Sequence, residues 1–260
     1  MAIRCSQYFW ALLGVALFLS VPSIVFARGP QEIGYTLHNL SISGFNAKKM
    51  LPSEYAANNE DRICVFCHTP HGGSLDAPLW NRDISNQNGH GAGIGYYQHY
   101  TSATLSSAGA NTTRDINPES LICLSCHDGS IGVGGNLINT GGITPSNSTK
   151  NIAGINGIPG PRIGGSLAAP TASNDLRDDH PISISMQTAF NAKGLAEFKD
   201  PATVTADLRM FGGTNYMVEC ATCHDPHVNY TSLGGGDPSY APFLAMPNTN
   251  SGMCLACHVK

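Results

Sequence analysis

Residues 220–227 read Cys220-Ala-Thr-Cys223-His224-Asp-Pro-His227, and residues 64–71 read Cys64-Val-Phe-Cys67-His68-Thr-Pro-His71. The two octets share the pattern Cys-x-x-Cys-His-x-Pro-His. Two more units, Ser120-Leu-Ile-Cys123-Leu-Ser-Cys126-His127 and Ser251-Gly-Met-Cys254-Leu-Ala-Cys257-His258, share a second form. The order along the chain is therefore A, B, A, B. Each half carries one pair, with 59 residues from Cys64 to Cys123 and 34 from Cys220 to Cys254.

Cysteine arithmetic works outward from these units. The 260-residue sequence has nine cysteines, and the ninth, Cys5, falls in a stretch with the layout of an export leader: Arg4, an apolar run from Phe9 to Leu19, then Val25-Phe26-Ala27. Residues 1–27 are expected to be a signal peptide cleaved after Ala27. Residues 28–260 would then form one exported domain with no later membrane-spanning stretch. An uncleaved anchor is the alternative, against which Ser20, Pro22 and Ser23 interrupt the run. The remaining eight thiols all lie in Cys-x-x-Cys-His units.

That spacing is the pattern of c-type haem attachment. Two thiols add to the two haem vinyl groups, and the adjacent imidazole ligates the iron. On a helical turn positions i, i+3 and i+4 share a face, so both sulfurs and the ring can address one porphyrin. Four disulfides, structural zinc and a thiol redox motif are rival readings. None of them explains a histidine after all four pairs. The expected cofactors are four covalent haems, numbered 1 to 4 in chain order. They would be held by Cys64 and Cys67, Cys123 and Cys126, Cys220 and Cys223, and Cys254 and Cys257, with His68, His127, His224 and His258 as proximal iron ligands.

Composition agrees. Charged residues are 12% of the chain, 29 Gly and 16 Pro are present, and the net charge is -4. Sparse, unclustered Lys and Arg argue against nucleic acid as a partner. About 58 residues per haem leave little aliphatic core. The fold class expected is a multihaem cytochrome c of short helices and mostly coil, with a haem-dominated core and little β-sheet. Haem pair 1–2 would occupy about residues 60–130, a Gly-rich loop about 128–174, and haem pair 3–4 about 175–260.

Local signals are few. Asn117, Pro118 and Glu119 mark a helix start, which puts Cys123 to His127 on a short helix. Ser53 to Cys67 reads as a second capped helix, interrupted by Asn58 and Asn59. Residues 128–174 show no sustained period, as in a linker or an irregular wrap around a haem. Asn39, Asn111, Asn147 and Asn229 begin Asn-x-Ser/Thr sequences that permit glycosylation.

Six histidines remain outside the attachment units: His38, His71, His90, His99, His180 and His227. Four irons need four distal ligands, so every iron can be closed by imidazole, which suits low-potential electron transfer without catalysis. His71 and His227 follow their proximal histidines by three residues. Neither can reach round its own ring, so each is expected to ligate a neighbouring haem, His71 that of haem 2 and His227 that of haem 4.

Cys64-Val-Phe-Cys-His-Thr-Pro-His71, Pro78-Leu-Trp-Asn-Arg82, Tyr100-Thr-Ser-Ala-Thr104, Leu121-Ile-Cys-Leu-Ser-Cys-His-Asp-Gly129, Asp179-His-Pro-Ile182, Val218-Glu-Cys-Ala-Thr-Cys-His-Asp-Pro-His227 and Met253-Cys-Leu-Ala-Cys-His258 together resemble the tetrahaem outer-membrane cytochrome E group. The resemblance covers His38 to His258. It implies bis-His haems stacked along an extracellular filament, a distal-ligand role for His180, and a His38 that reaches into an adjacent subunit. His90 and His99 have no match and read as surface or packing residues.

The resemblance further implies a homopolymer with head-to-tail contacts that conducts respiratory electrons to external acceptors and redox partner cytochromes at the cell surface. The expected protein is no enzyme and has no bond-making substrate. A soluble periplasmic tetrahaem shuttle and a multihaem reductase are the alternatives, the latter requiring an open iron.

Overall fold

The computed structural model describes residues 29–44, 60–73, 79–82, 97–100, 115–127, 137–139, 154–155, 158–159, 163 and 175–259. The leader, His90, Asn111, Asn147 and most of the Gly-rich insert lie outside them. Among the described residues the chain is mostly coil, with a few short helices and little sheet. No helix among them is long and apolar enough to cross a membrane.

The longest helix, α1 (Pro118–His127), begins where Asn117, Pro118 and Glu119 predict. Pro118 at the first turn forfeits no intrahelical donor, and Glu119 sits at the positive end of the helix. The Asn117 side-chain amide reaches away from the helix and donates to Glu219 Oε1 at 2.6 Å. The helix expected from Ser53 to Cys67 does not extend through its described part. Only a 3-10 turn, Cys64–Phe66, is present there. Glu60 is the physical reason, because its Oε1 accepts from the Arg62 backbone N–H (2.7 Å) and Nε (2.9 Å), closing a local turn in place of a helical one.

Among the described residues sheet is limited to two-residue strands. β1 (Gln98–His99) pairs in parallel with β4 (Asp175–Leu176), β2 (Gly154–Ile155) forms a hairpin with β3 (Ile158–Pro159), and β5 (Ile184–Ser185) runs antiparallel to β6 (Met217–Val218). Such pieces staple loops together and form no layer.

Residues 175–259 carry the best-developed apolar cluster. Ser185 caps α2 (Met186–Lys193) by accepting from the Thr188 N–H at 3.1 Å, and Gly194 ends it at φ +64°. Asp200 caps α3 (Pro201–Val204). The caps let Met186, Val204, Leu208, Val218 and Ala256 pack together, with Phe198 and Met253 against them. A second cluster joins Tyr97, Ile116, Leu124 and Leu176, and a third surrounds Phe66. None is large enough to be the core of a conventional domain.

The N-terminal described segment folds back onto the third unit. Glu32 N–H donates to the His227 carbonyl (3.2 Å), Asn229 N–H donates to that of Pro30 (2.7 Å), and Gln31 bridges to Val228. Two matching turns flank this seam. Asn39 Oδ1 accepts from the Ser41 N–H and hydroxyl, and Asn229 Oδ1 accepts from those of Thr231. Both asparagines are buried, so the Asn-x-Ser/Thr sequences at these positions build turns and present no amide for glycosylation.

Candidate cofactor-attachment site

All four Cys-x-x-Cys units lie on helical turns: Cys64–Phe66, α1, α4 (Cys220–Cys223) and α5 (Gly252–Cys257). His127 ends its helix within it, but His224 and His258 leave theirs in extended conformation. Three of the four histidines are then gripped by an antiparallel bridge: His68 by Trp80, His224 by Leu244, His258 by Phe198. The bonds are equivalent at each place. Thr69 N–H donates to Leu79 O and Asn81 N–H to Cys67 O; Asp225 N–H to Phe243 O and Ala245 N–H to Cys223 O; Lys199 N–H to Cys257 O and Val259 N–H to Glu197 O. These bonds fix the backbone from which each ring projects.

The bridging segments contain a repeat of their own. Ala77-Pro78-Leu79-Trp80 precedes the bridge to His68, and Ala241-Pro242-Phe243-Leu244 precedes the bridge to His224. Leu79 (φ +54°) and Phe243 (φ +58°) occupy corresponding positions, and both are left-handed although neither is glycine. Such a conformation in a bulky residue persists only where the surroundings impose it. At the third unit the result is visible: the carbonyl of Pro242 accepts from His224 Nδ1 at 3.1 Å. Sequence reasoning missed this feature, and the recurring Ala-Pro-apolar-apolar string after each A-type octet was the available signal.

Three pairs of imidazoles face one another. Ring centroids are 6.3 Å apart for His68 and His227, 5.9 Å for His127 and His38, and 6.5 Å for His258 and His180. Two imidazoles on opposite faces of one metal, each bonded at roughly 2 Å, place their centroids about 6 Å apart. The tautomers agree with ligation through Nε2. A carbonyl or carboxylate can only accept, so Nδ1–H is the donor from His224 to Pro242 O, from His180 to Pro181 O (2.9 Å) and from His227 to Asp225 Oδ1 (3.0 Å). In the neutral ring a proton on Nδ1 leaves Nε2 free, the form in which it binds a metal. Burial, then the facing His127 ring, lowers His38 to about 3, and burial, then the facing His180, lowers His258. Both rings are neutral at physiological pH.

These placements bear on three expectations. Within the chain His38 stands against His127, where Phe243 packs on it at 4.3 Å and the seam at residues 30–32 and 227–229 lies beside it. His227 faces the first unit, not the fourth. The His258 ring of the fourth is faced by His180. His71 is exposed, and no described histidine ring lies across from it or from His224, which is exposed as well. It does not meet His127 of the second unit. His99 is buried on β1, as a packing residue would be.

The eight thiols of the units are unpaired. Among the described residues no three Cys, His, Asp or Glu side chains converge as a metal-ion site. Successive units interact electrostatically thiol to thiol: Cys67 with Cys126, Cys123 with Cys220, Cys223 with Cys257. Their sequence is 1, 2, 3, 4. Burial pushes Cys67 and Cys223 up to about 12 and Cys257 to about 11, so these are protonated thiols and not the thiolates of a redox motif. Cys220 is drawn down by its hydrogen bond with Cys123, which is pushed up by the same contact.

Glu219, one residue before Cys220, fastens the second and third units together. It is 1% exposed. Its Oε1 accepts from Asn117 Nδ2 (2.6 Å), and its Oε2 accepts from Ser120 Oγ (2.6 Å) and Ser183 Oγ (3.0 Å). Ser120 Oγ in turn accepts from the Cys220 N–H at 3.0 Å. Burial raises its pKa, opposed by the three hydrogen bonds. A lone Glu before a cysteine gave no warning of this, since its partners lie 36 to 102 residues away.

No family model matches the chain, and no curated protein matches it.

Proposed function

We propose that the chain is a tetrahaem c-type cytochrome, in which four bound haems supply reversible one-electron Fe(III)/Fe(II) cycling and, in series, carry respiratory electrons to acceptors outside the cell. The three imidazole pairs at 5.9 to 6.5 Å are the observation that supports this reading most. The cysteine pairs anchor the porphyrins, and His68, His127, His224 and His258 are the proximal ligands. His227, His38 and His180 are the distal ligands to the first, second and fourth haems. The protein makes and breaks no substrate bond. Its work is to hold imidazoles in place and keep neighbouring units close.

Among the described residues one exposed histidine, His71, and one proximal histidine without a described ring opposite, His224, are left over. They complement each other between two copies. The His71 of one copy completes the third haem of the next, and a contact of two different surfaces propagates into a fibre. The subunit joint therefore belongs to His71 and not to His38.

Mass spectrometry and a pyridine haemochrome assay of the exported protein are expected to show four added haems; their absence ends the proposal. Electron cryo-microscopy of the holoprotein is expected to show fibres, and His71→Ala is expected to abolish them and leave one iron without its sixth ligand. A monomeric wild-type protein whose four irons are all low-spin and six-coordinate overturns the filament and leaves the periplasmic shuttle. Wild-type fibres in which His90→Ala, and not His71→Ala, exposes an iron would reassign the joint.

A further inference from the structure

The three distal imidazoles differ in what holds Nδ1. His227 donates to a carboxylate, Asp225 Oδ1, at 3.0 Å. His180 donates to a neutral carbonyl, Pro181 O, at 2.9 Å. The Nδ1 of His38 is buried without a hydrogen bond of good geometry, and the backbone of Pro226 is the polar group beside the ring. Asp225 is itself 8% exposed and fixed in place: its Oδ1 also accepts from the His227 N–H (2.9 Å), and its Oδ2 accepts from Gln31 Nε2 (3.3 Å). The corresponding residue of the first octet, Thr69, places its hydroxyl on the His71 carbonyl and not on a ring.

A charged acceptor on Nδ1 strengthens the imidazole as an electron donor through Nε2, and second-shell hydrogen bonding of this kind tunes a bound metal. Stronger donation favours the higher oxidation state. We propose that Asp225 is a positioning residue that sets redox order: by accepting the Nδ1–H of His227 it makes the iron between His68 and His227 harder to reduce than those completed by His38 and His180. No proton moves in this scheme. One electron enters or leaves the iron, and the Nδ1 proton stays on His227.

The inference rests on the haem reading above, and the test separates the two. Planes of the His68 and His227 rings are 14° apart, while those of the other two pairs are 72° and 71° apart. Near-parallel and near-perpendicular axial imidazoles give different low-spin EPR signals, so the first haem can be told apart from the second and the fourth, and His71→Ala removes any low-spin signal of the third. Potentiometric titration of the wild-type holoprotein, read by EPR and visible absorption, is expected to show the near-parallel signal vanishing after both near-perpendicular ones. Asp225→Asn, which keeps an acceptor and removes the charge, is expected to raise that potential alone and leave all irons low-spin. Asp225→Glu is expected to restore part of the shift. A near-parallel signal that reduces before either near-perpendicular one overturns the proposal even if no variant folds. So does an Asp225→Asn protein with unchanged potentials, or one whose only change is a high-spin iron. Protein without four haems would end the parent reading instead, and His227→Ala with every iron still six-coordinate would remove His227 as ligand.

Discussion

The octets 64–71 and 220–227 share five of eight positions and the same backbone bracket, yet their last histidines do unlike things. His227 is half exposed, but its ring is held by Asp225 and its backbone by the N-terminal segment, and the ring lies 6.3 Å from that of His68. His71 has no such support and points outward. The local motif thus supplies an imidazole three residues after the histidine of the unit, and the residues around it decide what that imidazole meets. On the proposed reading, duplication of a single octet would furnish both an internal ligand and a link between copies.

The sharpest test of the comparison is the dependence of ligation on assembly. His227→Ala is expected to leave one iron high-spin at every protein concentration, because its partner lies within the chain. In the wild type one iron is expected to become high-spin on dilution, as subunits separate and His71 is withdrawn. Resonance Raman spectra recorded across a dilution series distinguish these behaviours. High-spin character in His227→Ala that itself varied with concentration would erase the distinction between the octets.

The residue before each octet makes the next largest difference. Glu219 precedes Cys220 and binds three side chains of other segments; Ile63 precedes Cys64 and is only half-buried. Glu219→Ala strands the donors of Asn117, Ser120 and Ser183, and a loss of about 3 kcal/mol in chemical denaturation is expected. Ile63→Ala is expected to cost about 1 kcal/mol, the share of a partly buried aliphatic side chain. Equal costs would mean that Glu219 is no more than filling.

What could be read in the sequence follows the range of the forces involved. Helix α1 was legible because Asn117, Pro118 and Glu119 act within one turn, and the four Cys-x-x-Cys-His units stand out because the pattern is confined to five residues. Ring partnership was not. His38 and His127 are 89 positions apart, and nothing near His38 reveals that the 30–32 and 227–229 seam lies beside it. The Glu60–Arg62 turn defeated the helix expected from Ser53 because a side chain outcompeted the backbone for the same N–H. Only the Ala-Pro strings before Leu79 and Phe243 were within reach of sequence comparison and missed.

Those strings yield a smaller contrast. Glycine at either left-handed position removes a conformational cost of roughly 1–2 kcal/mol and adds a chain-entropy cost of roughly 0.5–1 kcal/mol. Leu79 is 51% exposed, so Leu79→Gly is expected to be neutral or stabilising by up to about 1 kcal/mol. Phe243 packs on His38 at 4.3 Å and on Tyr230 at 4.7 Å, so Phe243→Gly loses aromatic packing and is expected to destabilise by about 2 kcal/mol. Thermal unfolding of the two variants checks the sign as well as the size. A stabilising Phe243→Gly would show that the ring does not support the His38 side of the pair.

The smallest effect distinguishes the two carboxylates that lead into the octets, and its signature is a sign. Arg62, through a direct hydrogen bond, lowers Glu60 from 4.5 to about 2. A folded-state pKa below the unfolded one gives stability that is complete above about 4.5 and is lost as pH falls through about 2. Glu219 is shifted the other way, by burial without a cation. Its contribution is present below the usual 4.5 and is lost as pH rises through the raised value. Denaturation midpoints between acid and neutral pH are therefore expected to lose part of their acid-side fall in Glu60→Gln, and part of their decline with rising pH in Glu219→Gln. The Glu60 change is the weaker of the two, since Arg62 lies half in solvent and salt screens the pair. If both variants flattened the same side of the curve, the leads into the two octets would share one electrostatic design, and the contrast between an ion pair at the first and a buried acid at the third would fail.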